Sequence, residues 1–239
     1  MRILALDTSG PAAGAALMED GVITHEVTAI HGLTHSQTAM PMLDSCLSAA
    51  NLRPGDIDLF AAVAGPGSFT GVRIGVCAVK GLAYACGKNA LAVNALEALA
   101  MNAWGFGGVV CPILDARRGQ VYCAAFRFEE NEALPRRLLE DAALPLQEFI
   151  SALPENAPCL FLGDGLGAHF PALKAALGER ALAAPAHMAH LRAAAACQLA
   201  YLKRDEAADG RLLRPVYLRA PQAERERNAR LAEGRRENG

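Results

Sequence analysis

Gly65-Pro66-Gly67-Ser68-Phe69-Thr70-Gly71 joins an apolar run to a long helical pattern. At such a junction, backbone N–H groups and the positive end of a helix can hold a phosphate or another anion. The loop lacks the Gly-Lys-Ser/Thr of a Walker A motif, and its glycine spacing differs from the dinucleotide fingerprint. The next strand closes on Asn94, where a ribose-binding acid would stand. Two readings stay open: an anion site, or a sharp turn at Gly65 and Gly67 with Ser68 or Thr70 capping the helix. Asp7-Thr8-Ser9-Gly10 ends the first strand-like run. A carboxylate there can hold a metal-bound water while hydroxyls approach phosphates; a turn whose side chains satisfy local N–H groups is the simpler use of the same residues. Asp164, in Gly163-Asp164-Gly165, offers a second carboxylate after a strand, or an ordinary turn. His31 and His35 have the i,i+4 spacing of helical metal ligands, yet Gly32 and Leu33 favour a loop, and no Glu completes a His-Glu-x-x-His pattern. His187 and His190 read as caps or surface residues. No Gly-x-Ser-x-Gly elbow is present, and nothing marks one Cys as a nucleophile.

The elements that must position these residues follow from periodicity and turn chemistry. Residues 3–7, 12–18 and 22–29 read as short strands, with Asp20-Gly21 as a hairpin signal. Met40, Leu43, Leu47 and Ala50 recur at helical spacing after Thr34 or Ser36 as caps. Residues 58–64 read as a buried strand, 70–86 as a helix, 90–93 as a strand and 96–104 as a helix. Three antiparallel strands followed by such α/β units make a mixed sheet with crossover helices. This is the order expected of one half of a two-lobed, actin-like ATPase (ribonuclease H-like) α/β fold. The glycine-rich 105–108 stretch marks a boundary between a lobe at 1–104 and a second lobe at 105–188. In the second, 109–114 and 120–128 read as a hairpin around Asp115-Ala116-Arg117-Arg118-Gly119. Then come a strand at 138–141, a helix from Gln147, a strand at 159–162 and a helix from Leu166 or Pro171. The alanine-rich helix within 189–203 is expected to return to the first lobe, and 222–239, with few apolar residues, reads as a solvated, disordered tail.

Composition narrows the partners. The chain has 239 residues, 52% of them hydrophobic, so it can bury a sizeable core. Its 23 Lys plus Arg against 25 Asp plus Glu give a net charge of -2, no footprint for holding a nucleic-acid backbone unaided. Seven scattered Cys without a Cys-x-x-Cys pair read as reduced, buried small side chains, which points to the cytoplasm. The longest apolar region is interrupted by Gly65-Pro66-Gly67, Arg73 and Lys80, a poor membrane span. The 70–86 helix is apolar nearly all round, with small steps at Gly71, Gly75 and Ala78, so it is expected either to meet another helix across a subunit interface or to be wholly internal.

The run from Gly65 to Gly75, Gly-Pro-Gly-Ser-Phe-Thr-Gly-Val-Arg-Ile-Gly, continues as Ala78-Val79-Lys80-Gly81-Leu82-Ala83. It closely resembles the signature of the bacterial TsaB (YeaZ) family. Ile3-Leu4-Ala5-Leu6-Asp7-Thr8-Ser9, His35-Ser36, Asp115 to Tyr122 and Pro215 to Pro221 are similar to that family's pattern in the same order. The resemblance implies a non-catalytic subunit that assists the paralogue TsaD in making threonylcarbamoyladenosine beside the anticodon of tRNAs reading codons that begin with A. It also implies the ATPase TsaE as a further partner and tRNA contact only through the complex. In TsaD a His-x-x-x-His pair carries the metal; Ala95 and Leu99 stand at the matching positions here, and neither can ligate one. The expectations are therefore no catalytic or metal-binding residue, no required cofactor, and at most vestigial nucleotide binding at Asp7, Thr8, Ser9 and Gly10. A partner surface is expected from Met40, Leu43, Leu47, Gly71, Ile74, Gly75 and Ala78, used for a homodimer when alone and for TsaD when present. A stand-alone actin-like ATPase or sugar kinase is the alternative, and a metallopeptidase the next.

Overall fold

The computed structural model describes residues 1–30, 34–130 and 132–219. Strands β1 (Arg2–Asp7), β2 (Ala13–Glu19) and β3 (Val22–Ala29) form an antiparallel meander, turned at Asp20 and Gly21, both with positive φ. Helix α1 (His35–Ala49) follows; Thr34 and Gln37 form a capping box at its start. Strand β4 (Leu59–Gly65) then pairs with β1 in parallel. Helix α2 (Phe69–Cys86) leads to β5 (Asn89–Asn94), parallel to β4, and to helix α3 (Ala95–Met101), whose N-cap is Asn94. Asn94 Oδ1 accepts from Glu97 N at 2.8 Å, so the residue standing where a ribose-binding acid would be is a helix cap.

The second sheet is built from β6 (Val109–Asp115), β7 (Gln120–Arg127), β8 (Arg136–Pro145), β9 (Cys159–Leu162) and β10 (Ala181–Ala183), with α4 (Leu146–Ala152) and α5 (Leu166–Leu177) between them. Its order is β10-β9-β6-β7-β8. Helix α6 (Ala193–Leu202) returns to pack on β1, β2 and β3, and β11 (Ala208–Asp209) completes the first sheet, whose order is β11-β5-β4-β1-β2-β3.

Strand periodicity assigns the two faces of this first sheet. Leu4, Leu6, Phe60 and Ala62 pack with α1 and α2; Ile3, Ala5, Leu59 and Ala61 pack with α3 and α6 in a core that continues into the second sheet through Val110, Phe126 and Leu162. Lys203 Nζ reaches both oxygens of Glu97 at 2.7 Å and ties the end of α6 to α3. By length and composition α2 is apolar enough to cross a membrane, but its inner residues Val72, Val76 and Val79 are buried within the chain's own core. The expected tail at 222–239 and His31 of the expected histidine pair lie outside the described residues.

Helix α2 is not apolar-buried all round. Gly71, Val72, Gly75, Val76, Val79 and Ala83 are buried, whereas Thr70, Arg73, Cys77, Gly81 and Tyr84 are exposed. Cys77 is thus an exception to the expectation of buried thiols; Cys46, Cys111, Cys123, Cys159 and Cys197 are buried.

Candidate functional site

The glycine loop and the end of β1 are interlocked. A Cβ at Gly67 would lie 2.3 Å from Ser9 O and one at Gly71 2.0 Å from Thr8 O, distances no side chain tolerates. Only glycine permits the approach. Ser68 N donates to Ser9 O at 2.7 Å, and Thr8 Oγ1 donates to Gly71 O at 2.7 Å. Ser68 Oγ accepts from Gly71 N at 3.3 Å, so Ser68, of the two candidates, caps α2. Gly65 has φ +121° and leaves room for Val216 O, which would stand 2.4 Å from a Cβ there; Val216 N donates to Ala64 O at 2.7 Å. The C-terminal 213–219 segment is held further by Tyr217, whose hydroxyl accepts from Arg73 Nε at 2.7 Å. The Arg73 guanidinium lies 3.8 Å over the Phe69 ring.

Asp7, Thr8 and Ser9 are consequently 2%, 0% and 3% exposed. Ser9 N donates to Asp7 Oδ1 at 2.8 Å. Burial pushes the Asp7 carboxyl up to about 6, with Asp164 adding to the rise and the Ser9 bonds and His35 opposing it. Asp164 is also raised, chiefly by burial, although its Oδ1 accepts from Asp115 N at 3.0 Å. The two carboxyls meet at a space of about 20 Å³, roughly the room of one water. His35 Nε2 lies 2.8 Å from Gly10 O, a carbonyl that can only accept, so this nitrogen carries the proton; Nδ1 is buried and has no partner among the described residues.

Beside this loop a cleft of about 620 Å³ opens between the lobes, with Ser9, Gly10, His35 and Thr70 on one side, Arg117 and Asp164 on the other, and Arg219 from the C-terminal segment. Arg117 and Arg118 both have positive φ at the β6–β7 turn, where Arg117 N donates to Asp115 Oδ1 at 2.7 Å. Arg219 Nη1 donates to Ala116 O at 3.3 Å. Local sequence pattern does not place the C-terminal segment or Arg117 at the cleft: the bond from Val216 N to Ala64 O brings the first there, and the β6–β7 turn of the second lobe brings the other.

The expected partner surface divides in two. Leu43 and Leu47 are 1% and 5% exposed and belong to the core beneath α1. Gly71 and Gly75 are also turned inward, Gly75 against Thr8 Oγ1 at 2.5 Å from its would-be Cβ. These four are corrected to interior residues: the small steps at Gly71 and Gly75 accommodate the carbonyl and the hydroxyl of Thr8 at the end of β1, not a second helix. Met40 (47% exposed), together with half-buried Ile74 and Ala78, is on the outer face with Cys77 and Tyr84, the last 68% exposed. Ala95 and Leu99 are completely buried in α3, and among the described residues no three His, Cys, Asp or Glu side chains gather as a metal set.

A three-stranded meander extended by parallel crossovers, joined to a second mixed sheet across a cleft, is the two-lobed actin-like ATPase fold; a Carboxydothermus hydrogenoformans protein, EutJ, shares it at 10% identity and a TM-score of 0.52. A model of the family described as TsaD, tRNA N6-adenosine threonylcarbamoyltransferase, matches residues 27–227. The Bacillus subtilis tRNA threonylcarbamoyladenosine biosynthesis protein TsaB is 38% identical over 227 residues, covering 94% of this chain and 96% of that protein. The Escherichia coli TsaB is 38% identical over 133 residues, 55% of this chain and 57% of that protein. The structure of YeaZ from Pseudomonas aeruginosa superposes with a TM-score of 0.74 at 30% identity, covering 91% of this chain and 99% of that one. The chain belongs to the TsaB (YeaZ) family of tRNA threonylcarbamoyladenosine biosynthesis proteins.

Proposed function

We propose that this chain is the non-catalytic, activating subunit of a cytoplasmic complex that transfers a threonylcarbamoyl group to the adenosine beside the anticodon of tRNAs reading codons that begin with A. The paralogue TsaD supplies the catalytic metal, TsaE the ATPase, and tRNA is met through the complex. The observation carrying this reading is the burial of Asp7, Thr8 and Ser9 where Gly67 and Gly71 pack on their main chain: the Thr8 hydroxyl is spent on Gly71 O, and a loop 2%, 0% and 3% exposed offers little of its carboxylate and hydroxyls to a nucleotide. The chain accordingly needs no cofactor of its own, and any residual nucleotide contact falls to Gly10 and the open cleft. A stand-alone ATPase or kinase would need that loop uncovered, and a metallopeptidase would need metal ligands where Ala95 and Leu99 stand.

Reconstitution with TsaD, TsaE, threonylcarbamoyl-AMP and tRNA tests the reading: the chain alone yields no modified adenosine, and its addition raises the yield of the complex. ATP turnover by the chain alone, or full modification without it, would overturn the proposal. The outer face of α1 and α2 is the proposed contact for TsaD, and for a second copy when TsaD is absent. Cys77→Arg places a long cation on that exposed face without touching the core. It is expected to weaken TsaD binding at least about tenfold and to make the chain monomeric in sedimentation, with the melting temperature unchanged. Wild-type affinity in this variant would place the contact elsewhere.

A further inference from the structure

On the opposite face of the first sheet from α1 and α2, where α3 and α6 pack, a second cavity of about 620 Å³ opens. Its walls are mostly apolar: Met101 at the end of α3 and Trp104 in the turn after it, Ala133 from the β7–β8 connection, and Ala194 and Ala195 from the first turn of α6. Ala194 and Ala195 leave the space open where larger side chains on the first turn of α6 would fill it, while Ala193 and Ala196 beside them are packed in the core. Trp104, the only tryptophan in the chain, is 66% exposed at this wall. An indole left so open beside a cavity calls for an occupant.

The polar groups decide which. Glu26 is engaged: it accepts from Arg192 Nε and from Ala194 N, each at 3.1 Å, and so neutralises Arg192 and caps α6. Glu132 is exposed and has no ion-pair partner among the described residues, so the lining carries an uncompensated negative charge. A phosphate would be repelled, and a purely apolar side chain would strip water from Glu132 without replacing it. A lysine ammonium is strongly hydrated and fits apolar walls poorly. A guanidinium is weakly hydrated, lays its flat face on an indole and gives its edge to a carboxylate.

We infer that this cavity receives an arginine side chain presented by a partner polypeptide, stacked on Trp104 and paired with Glu132. The site is on the far side of the sheet from the outer face of α1 and α2, so it can be filled while that face is occupied. Because Trp104 is the only indole, its emission reads the site directly in the full-length chain. Titration with acetyl-Gly-Arg-Gly-amide is expected to change that emission saturably, with the citrulline and lysine counterparts at least about fivefold weaker. Glu132→Gln, a surface change that leaves the fold intact, is expected to weaken the arginine peptide about fivefold. No saturable change, equal response to citrulline or lysine, preference for adenosine, or indifference to Glu132→Gln would each overturn the inference. So would a response seen only when Arg225, Arg227, Arg230, Arg235 and Arg236 are all replaced by Gln, since the occupant would then be this chain's own C-terminal segment.

Discussion

Gly71→Ala is expected to lower the stability of this chain by about 3 kcal/mol, a fall in melting temperature of roughly 6–12 °C. The added methyl would meet Thr8 O at 2.0 Å and His35 Cδ2 at 3.2 Å. Thr8 O is main chain at the end of β1, the strand between β4 and β2, so it cannot step aside without moving the sheet. The same shift would stretch the Thr8–Gly71 hydrogen bond, leaving a buried hydroxyl unsatisfied. Gly81 on the same helix is exposed with nothing within 4 Å, and Gly81→Ala is expected to add about 0.5–1 kcal/mol through helix propensity and a less flexible unfolded chain. Thermal melts of the two variants test the assignment as a pair. Equal effects would mean that α2 does not sit on Thr8 as described. The same geometry makes Gly75→Arg a fold-breaking change, not a probe of partner binding, because its Cβ would start 2.5 Å from Thr8 Oγ1.

That inward-facing glycine stripe shows where reading the sequence stops. Small residues at i, i+4 along an apolar helix license close approach, but they look the same whether the approaching group is a second helix or the carbonyl of a strand end. Which one applies depends on Thr8, at the end of β1, lying under Gly71 of α2, 63 residues away in the chain. Leu43 and Leu47 are a simpler case: apolar residues at i,i+4 on a surface helix are its core face, shared here with Ala39, Met42 and Cys46, and Met40, though in step with them by spacing, falls at the edge of that stripe and is exposed.

Elsewhere the periodicity was sufficient. The meander is legible because Asp20-Gly21 supplies the left-handed turn between alternating strands, and β4 because a seven-residue apolar run between a turn and a glycine loop is a strand buried on both faces. Strand β8 is visible only at 138–141 although it spans Arg136–Pro145: the paired charges Arg136 and Arg137 hide its start, and Ala142-Ala143-Leu144-Pro145, with no alternation and a closing proline, hides its end. Helix α6 begins at Ala193, four residues later than its alanine content suggests, after a 3-10 turn at Ala186–Met188. Strands β10 and β11, three and two residues long, have no periodicity to read and exist only through their neighbours β9 and β5.

The carboxylate of Asp7 carries the other large expectation. In the unfolded chain its ordinary value is 3.8, and in the folded chain burial raises it to about 6. Below the lower value both states are protonated, and the fold bears no burden from the group. As pH rises through 6 the unfolded chain has already ionised while the folded chain must place a charge in a site that is 2% exposed. Stability from this residue is therefore present in acid and lost on the way to neutrality, and the loss is complete above about pH 7. A shift of about two units corresponds to roughly 3 kcal/mol. Asp7→Asn retains an oxygen to accept from Ser9 N and removes the charge, so it is expected to be more stable than the wild type by about 2–3 kcal/mol at pH 8, with the two converging near pH 3, below the lower value. The difference between their urea unfolding curves at the two pH values reads Asp7 together with its repulsion of Asp164, which the Asn variant also relieves. If the Asn variant proved less stable at pH 8, the folded protein must stabilise the Asp7 anion, and the closed loop would have to be redrawn as one open to a cation. The expected sign instead describes a turn held by backbone contacts from Ser9, Ser68 and Gly71, in which the carboxylate supplies a hydrogen-bond acceptor and its negative charge is a burden.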